Sequence, residues 1–163
     1  MPVADKSKWS PKTFRSIDEL SAELDRIEAA HQSGTLSTAG GWTPGQCMSH
    51  TAVFIKSSFD GFELGAPWIL RAVCSLLLKP IATKPKSQMK PGIKLPAKAK
   101  ELLPQDAVSI EEGIAQMRTQ IARIKSGEQM TQVSPLLGKM SHEQWVNLHL
   151  NHCRMHFGFF SYE

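Results

Sequence analysis

The stretch Ser141-His142-Glu143-Gln144-Trp145-Val146-Asn147-Leu148-His149-Leu150-Asn151-His152-Cys153-Arg154-Met155-His156-Phe157 decides the reading of this chain. It opens on Ser141 with Gln144 three residues later, a capping box in which each side chain satisfies a backbone N–H of the other. The residues that follow keep helical spacing and carry three of the six histidines. At about 100° per residue, His152 and His156 lie about 40° apart and one turn from each other, with His149 within about 60° of both. Trp145 and Phe159 share the stripe. Imidazoles on an apolar face need partners, and a metal ion suits several at once.

The same start signal occurs at Ser16/Glu19, Thr43/Gln46 and Ser109/Glu112, the second with Pro44 at the first helical position. Apolar residues at helical spacing follow each: Ile17, Leu20, Leu24 and Ile27, then Cys47, His50 and Phe54, then Ile110, Ile114, Met117, Ile121 and Ile124. Gly127 is placed to end the third helix. Sustained two-residue alternation and Asn-Gly turns are missing. The spacing predicts an all-α fold, a four-helix bundle, with helices at 17–32, 44–63, 108–126 and 142–160.

Helices 2 and 3 are joined by a long crossover. It holds a short apolar helix over 67–78, read as a core or packing helix, then the Pro/Lys-rich stretch 79–107. Such a crossover lets helices 2 and 3 run parallel. The first 15 or so residues and 79–107 are expected to be largely irregular within a single domain spanning 1–163.

Composition narrows the class. With 163 residues, 41% apolar and 21% charged, the chain can bury a real core. Cys47, Cys74 and Cys153 cannot all pair and match no zinc-finger spacing, so they read as reduced thiols of a cytoplasmic protein. The opening residues show no secretory signal. The longest apolar run, Ala66 to Leu78, is interrupted by Arg71 and too short to span a bilayer. Seven lysines and no acid fall within 79–100, so the net charge of +4, less those seven, leaves −3 elsewhere. That segment lacks aromatics for base stacking and an amphipathic pattern, and reads as a solvated loop; neither nucleic acid nor membrane is an expected partner. No phosphate-binding glycine loop and no Ser-His-Asp set is legible.

His50 lies on the buried stripe of helix 2, just after Gln46 and Cys47. Bundles build metal sites from inward side chains of facing helices. One histidine from helix 2 with the helix 4 pair makes three nitrogen ligands and leaves positions open, the pattern of a catalytic site. His149 is an alternative third ligand, or a base beside the metal. Imidazole suits zinc, nickel, iron or copper. Cys47 and Cys153 are offered as packing rather than as ligands, His31 and His142 as solvated, and Trp42 and Trp145 as core plugs at the bundle's end.

Trp42-Thr-Pro-Gly-Gln46-x-x-x-His50, Pro135-Leu-Leu-Gly138-x-x-Ser141-x-Glu-Gln-Trp145 and Asn151-His152-x-x-x-His156 together resemble the DinB-like superfamily, and more narrowly a branch known as a domain of unknown function. The resemblance runs from about Trp42 to Phe160. It implies a four-helix bundle with a divalent metal ion (zinc, nickel, iron or manganese) on His50, His152 and His156. His149 falls outside that pattern and, with Gln46, becomes a candidate for orienting the reacting groups. Relatives of this kind include transferases using low-molecular-weight thiols, isomerases and hydrolases, and many form homodimers. The expected activity is therefore thiol transfer or hydrolysis through an activated thiol or water. The alternative is a non-catalytic interaction protein with a structural histidine cluster and a basic loop on an anionic partner.

Overall fold

The computed structural model describes residues 4–63, 65–92, 102–103 and 107–162. These are mostly helical. Four long helices, α1 (Ile17–Gln32), α2 (Pro44–Asp60), α5 (Ile110–Lys125) and α6 (His142–Phe157), accompany a short α3 (Trp68–Leu77) and a single turn, α4 (Lys79–Ala82). Residues 93–101 and 104–106 of the basic crossover lie outside the described residues, Lys94, Lys98, Lys100, Pro96 and Pro104 among them.

The start signals work as local chemistry requires. Thr43, Ser109 and Ser141 each form a complete capping box with the Gln or Glu three residues on. At α1 the device is offset: Ser16 accepts the Glu19 N–H, but Glu19 reaches the backbone N–H of Arg15. Gly127 takes φ 85° and closes α5, the Gly127 N–H bonding Ile124 O and the Glu128 N–H bonding Arg123 O. Helix 2 stops at Asp60, short of 63, because Gly61 turns to φ 112°. The fourth helix stops at Phe157, short of 160. There the N-terminal segment crosses its end, with Ser10 N–H on Gly158 O, Lys12 N–H on Arg154 O and Trp9 Nε1 on Met155 O at 2.9 Å. Carbonyls that a helix end leaves orphaned are thereby satisfied.

A small two-stranded sheet adds to the helices of the all-α expectation. Ser37–Thr38 pairs antiparallel with Phe160–Ser161 in register Ser37↔Ser161 and Thr38↔Phe160. Strands of two residues are too short to imprint a period-2 pattern.

Packing among the long helices follows from side-chain pairs. Gly45 lies against Ser109, Thr51 Oγ1 meets Met117 Sδ at 3.2 Å, and Asp60 is ion-paired with Arg123, so α2 and α5 run parallel. Pairs Asp18–Lys125, Asp25–Arg118 and His31–Glu111 set α1 antiparallel to α5. Contacts of His50 with His156 and of Ser58 with His149 set α6 antiparallel to α2. Leu20, Leu24 and Ile27 of α1 are fully enclosed, as are Met48 of α2 and Met117 of α5. Each such aliphatic side chain contributes about 1.5–3 kcal/mol on burial.

The short apolar helix departs from expectation. Cys74 is the one buried residue of α3, and the helix's large apolar side chains face outward. A run of apolar residues announces a helix but not which side of it the body will cover.

The α2–α5 contact is the most extensive between elements, and it depends on two glycines. A Cβ on Gly45 would stand 2.4 Å from both Val108 O and Ser109 O, and one on Gly113 would stand 2.7 Å from Gly45 O. Gly45→Ala is therefore expected to destabilise the protein by about 1–3 kcal/mol through overpacking, although alanine is favoured over glycine in a free helix by about 1 kcal/mol. Urea denaturation checks this; equal or raised stability would show that the helices separate without cost.

Candidate metal centre

The α2 start places His50. The capping box fixes the first turn, Gly45 holds it against α5, and His50 follows with only 5% of its surface exposed. From α6, His152 and His156 project toward it, each keeping part of its surface on solvent. One ring nitrogen from each of the three histidines can be chosen so that all lie within 4.8 Å of one another. His152 Nε2 and His156 Nε2 are 3.0 Å apart.

The orientation of His50 is set by the crossover. Its Nδ1 lies 2.5 Å from the backbone carbonyl of Leu102, itself buried. A carbonyl oxygen only accepts, so Nδ1 carries the proton and Nε2 keeps its lone pair. This is how protein metal sites hold a ligating imidazole. Nothing in the sequence around Leu102 signals that role, because a backbone carbonyl leaves no residue signature.

Aromatic rings wall the cluster. Trp42 stacks on His156 at 5.4 Å and 9° and stands edge-on to His50 at 4.9 Å. Phe54 stands edge-on to His152 at 5.0 Å. Trp42 is thus half-buried beside the histidines rather than plugging a helix end. Trp145 is fully buried, donates from Nε1 to Gln132 O, and stacks on His149.

His149 is not part of the three-nitrogen group. His149 Nε2 meets Ser58 Oγ at 3.1 Å, its Nδ1 has no hydrogen-bond partner among the described residues, and the Phe54 ring lies edge-on to both His149 and His152. Gln46 is buried, and its Oε1 accepts the Thr43 N–H at 3.0 Å. His31 is exposed, with its Nε2 on the Glu111 carboxylate at 2.8 Å. His142 is not simply solvated: its Nδ1 accepts the Met130 N–H and ties the α5–α6 connection to the start of α6.

Electrostatics favour neutral ligands. Burial lowers the pKa of His50, partly opposed by the bond to Leu102. Burial, then the charges that neighbouring imidazoles would carry, holds His152 and His156 well below the usual histidine range. All three are therefore deprotonated near neutral pH, as metal binding requires. Burial raises the Cys47 thiol well above its usual range and Cys153 to about 12, so both remain protonated packing groups.

The donor set fits an ion. Two imidazoles on one tetrahedral zinc at about 2.0–2.1 Å hold their nitrogens about 3.3 Å apart. The 3.0 Å contact of His152 with His156 is close to that, and His50 needs a small approach. Two neutral imidazoles meeting nitrogen to nitrogen must otherwise share one N–H; a cation accepts both lone pairs.

Burial of these rings has a consequence for folding. In the unfolded chain each histidine takes up a proton below about pH 6.5, whereas the folded protein resists, so stability falls as pH drops below that point. For His149, held at about 3, the loss continues down to that pH. At pH 5 its share is about 2 kcal/mol. Urea titrations between pH 7.5 and 5 are expected to show the fall, and His149→Leu to reduce its slope by about 1.4 kcal/mol per pH unit. A flat profile would contradict the burial of these rings.

No curated protein and no solved structure matches this chain. A family described as "Protein of unknown function (DUF1569)" matches residues 10–163, which includes every histidine of the cluster. The chain belongs to that family.

Proposed function

We propose that this protein is a metal-dependent enzyme of DinB-like, four-helix-bundle type, with His50, His152 and His156 as the ligands of one divalent ion. The observation that carries the reading is the convergence of three neutral imidazoles from two helices, one with its tautomer set by the Leu102 carbonyl. Among the described residues the three-nitrogen set contains no carboxylate, and neutral imidazoles leave the positive charge of an ion undiminished. With positions left open, such an ion lowers the pKa of a water or thiol toward neutrality, the chemistry of hydrolysis or thiol transfer.

The remaining residues serve that group. Trp42 and Phe54 hold the imidazole planes and exclude water from two sides. Gln46 keeps the α2 start in place, so that His50 meets α6 at the right depth. His149 braces the far side of Phe54. The partly exposed edges of His152 and His156 leave the ligands reachable from solvent, and the apolar walls suit the carbon skeleton of a small thiol. A low-molecular-weight thiol is therefore the first substrate class to test, with hydrolytic substrates next.

Elemental analysis of tag-free protein purified without chelator is expected to find close to one equivalent of a transition metal. His152→Ala should lose it, since even the loss of an orienting partner costs about 10–100-fold in affinity and loss of a ligand costs more. Unchanged metal content in His50→Ala, His152→Ala and His156→Ala alike would overturn the reading, as would failure to load zinc, nickel, manganese or iron.

A further inference from the structure

Helix α3 is built inside out. At about 100° per residue, Leu76, Ile69, Val73, Leu77 and Leu70 fall within an arc of about 120°. Cys74, the helix's buried residue, lies outside that arc, as do Arg71 and Ser75, the latter resting against Gly138. The apolar arc faces away from the body. Within it Ile69 is 60% exposed, Leu70 48%, Val73 49%, Leu76 76% and Leu77 60%; outside the arc Trp68 is 72% exposed and, on α4, Ile81 63%. Scattered apolar residues on a surface are ordinary, but a contiguous face of this kind marks an interaction site.

Along the chain from α3 the charge is of one sign. Arg71 lies on α3, Lys79 opens α4, and Lys84, Lys86 and Lys90 follow; all but the half-buried Lys79 are exposed. No Asp or Glu occurs between Glu63 and Glu101. We propose that this face is a membrane-contact surface, on which α3 lies in the plane of an anionic lipid leaflet with the lysines on the headgroups.

Three considerations select that occupant. A second copy of the chain would bring identical cations together, and like charges across an interface are unfavourable. Nucleic acid would neutralise the lysines but offers nothing to the aliphatic arc. An anionic leaflet satisfies both features, taking the apolar side chains about 5–10 Å below the headgroups and pairing the cations with phosphate and carboxylate. Trp68 at the helix start suits the headgroup boundary. The contact is interfacial: among the described residues no helix is long and apolar enough to cross a membrane. It is also reversible, since one short apolar face with a basic patch anchors far more weakly than a spanning helix.

Vesicle sedimentation tests this with the full-length protein. Binding is expected to phosphatidylcholine vesicles containing about a third phosphatidylserine, and at least about tenfold less to phosphatidylcholine alone. Leu76→Glu/Leu77→Glu and, separately, Lys84→Gln/Lys90→Gln should each lower partitioning by about tenfold or more, with far-ultraviolet circular dichroism and metal content unchanged. Vesicles should shift the tryptophan emission to the blue in wild type but not in Trp68→Phe. No binding at low ionic strength, or equal binding to neutral vesicles, overturns the proposal. So does a wild-type dimer that Leu76→Glu/Leu77→Glu makes monomeric without any lipid binding, which would assign the face to a second copy. Because metal content is read on the same samples, failure here leaves the metal reading standing.

Discussion

Three imidazoles without a carboxylate among them can share one enclosed place only as neutral bases, and that condition organises the structure around it. Protonating any one of them places a buried cation beside the other two rings, which burial and the neighbouring imidazoles oppose. The lone pairs that neutrality leaves must then be used. One is spent where His152 and His156 meet nitrogen to nitrogen, and His50 keeps its own because Leu102 takes the proton on the opposite side of the ring. The arrangement is incomplete as a hydrogen-bonded cluster and compatible with holding a metal ion.

Holding it requires that α2 and α6 meet at a fixed depth. Half of that is local, in the capping boxes at Thr43 and Ser141 that start both helices cleanly. The other half is the close crossing of α2 on α5, where Gly45 and Gly113 let the backbones approach nearer than any side chain would allow. The site therefore depends on residues that carry no chemistry. The ion pair of Asp60 with Arg123 at the far end of the same two helices sets their register.

The crossover between α2 and α5 contributes at two unlike places. Leu102 orients His50 from its backbone. Further back, α3 turns its apolar arc to solvent, and Asn151 of α6 holds the end of α4 and the residues after it by bonding Ala82 O and Lys84 O. Asn151 precedes His152 directly, so one helix turn both carries a histidine of the cluster and anchors the basic segment.

By itself the sequence determined the starts of the long helices and the pairing of His152 with His156 on one stripe. It permitted α2 and α5 to run parallel through the long connection, and it pointed to His50 as the partner of the pair with His149 as its alternative. The first two are properties of short spacing: a capping residue, a helical period and an i,i+4 pair act within one or two turns. It did not determine the two-residue strand pair, the strap of Trp9 and Ser10 over the end of α6, or the bond from Leu102, since these join residues far apart through backbone atoms that every residue possesses. It misjudged α3 as packing because hydrophobicity says that a face seeks cover, not that the protein's own body provides it. It assigned Trp42 to a plug, whereas its stacking on His156 depends on where two helices cross. Only the tertiary structure decided which nitrogens face one another and which apolar face stays bare, because both are set by the relative placement of helices rather than by the helices themselves.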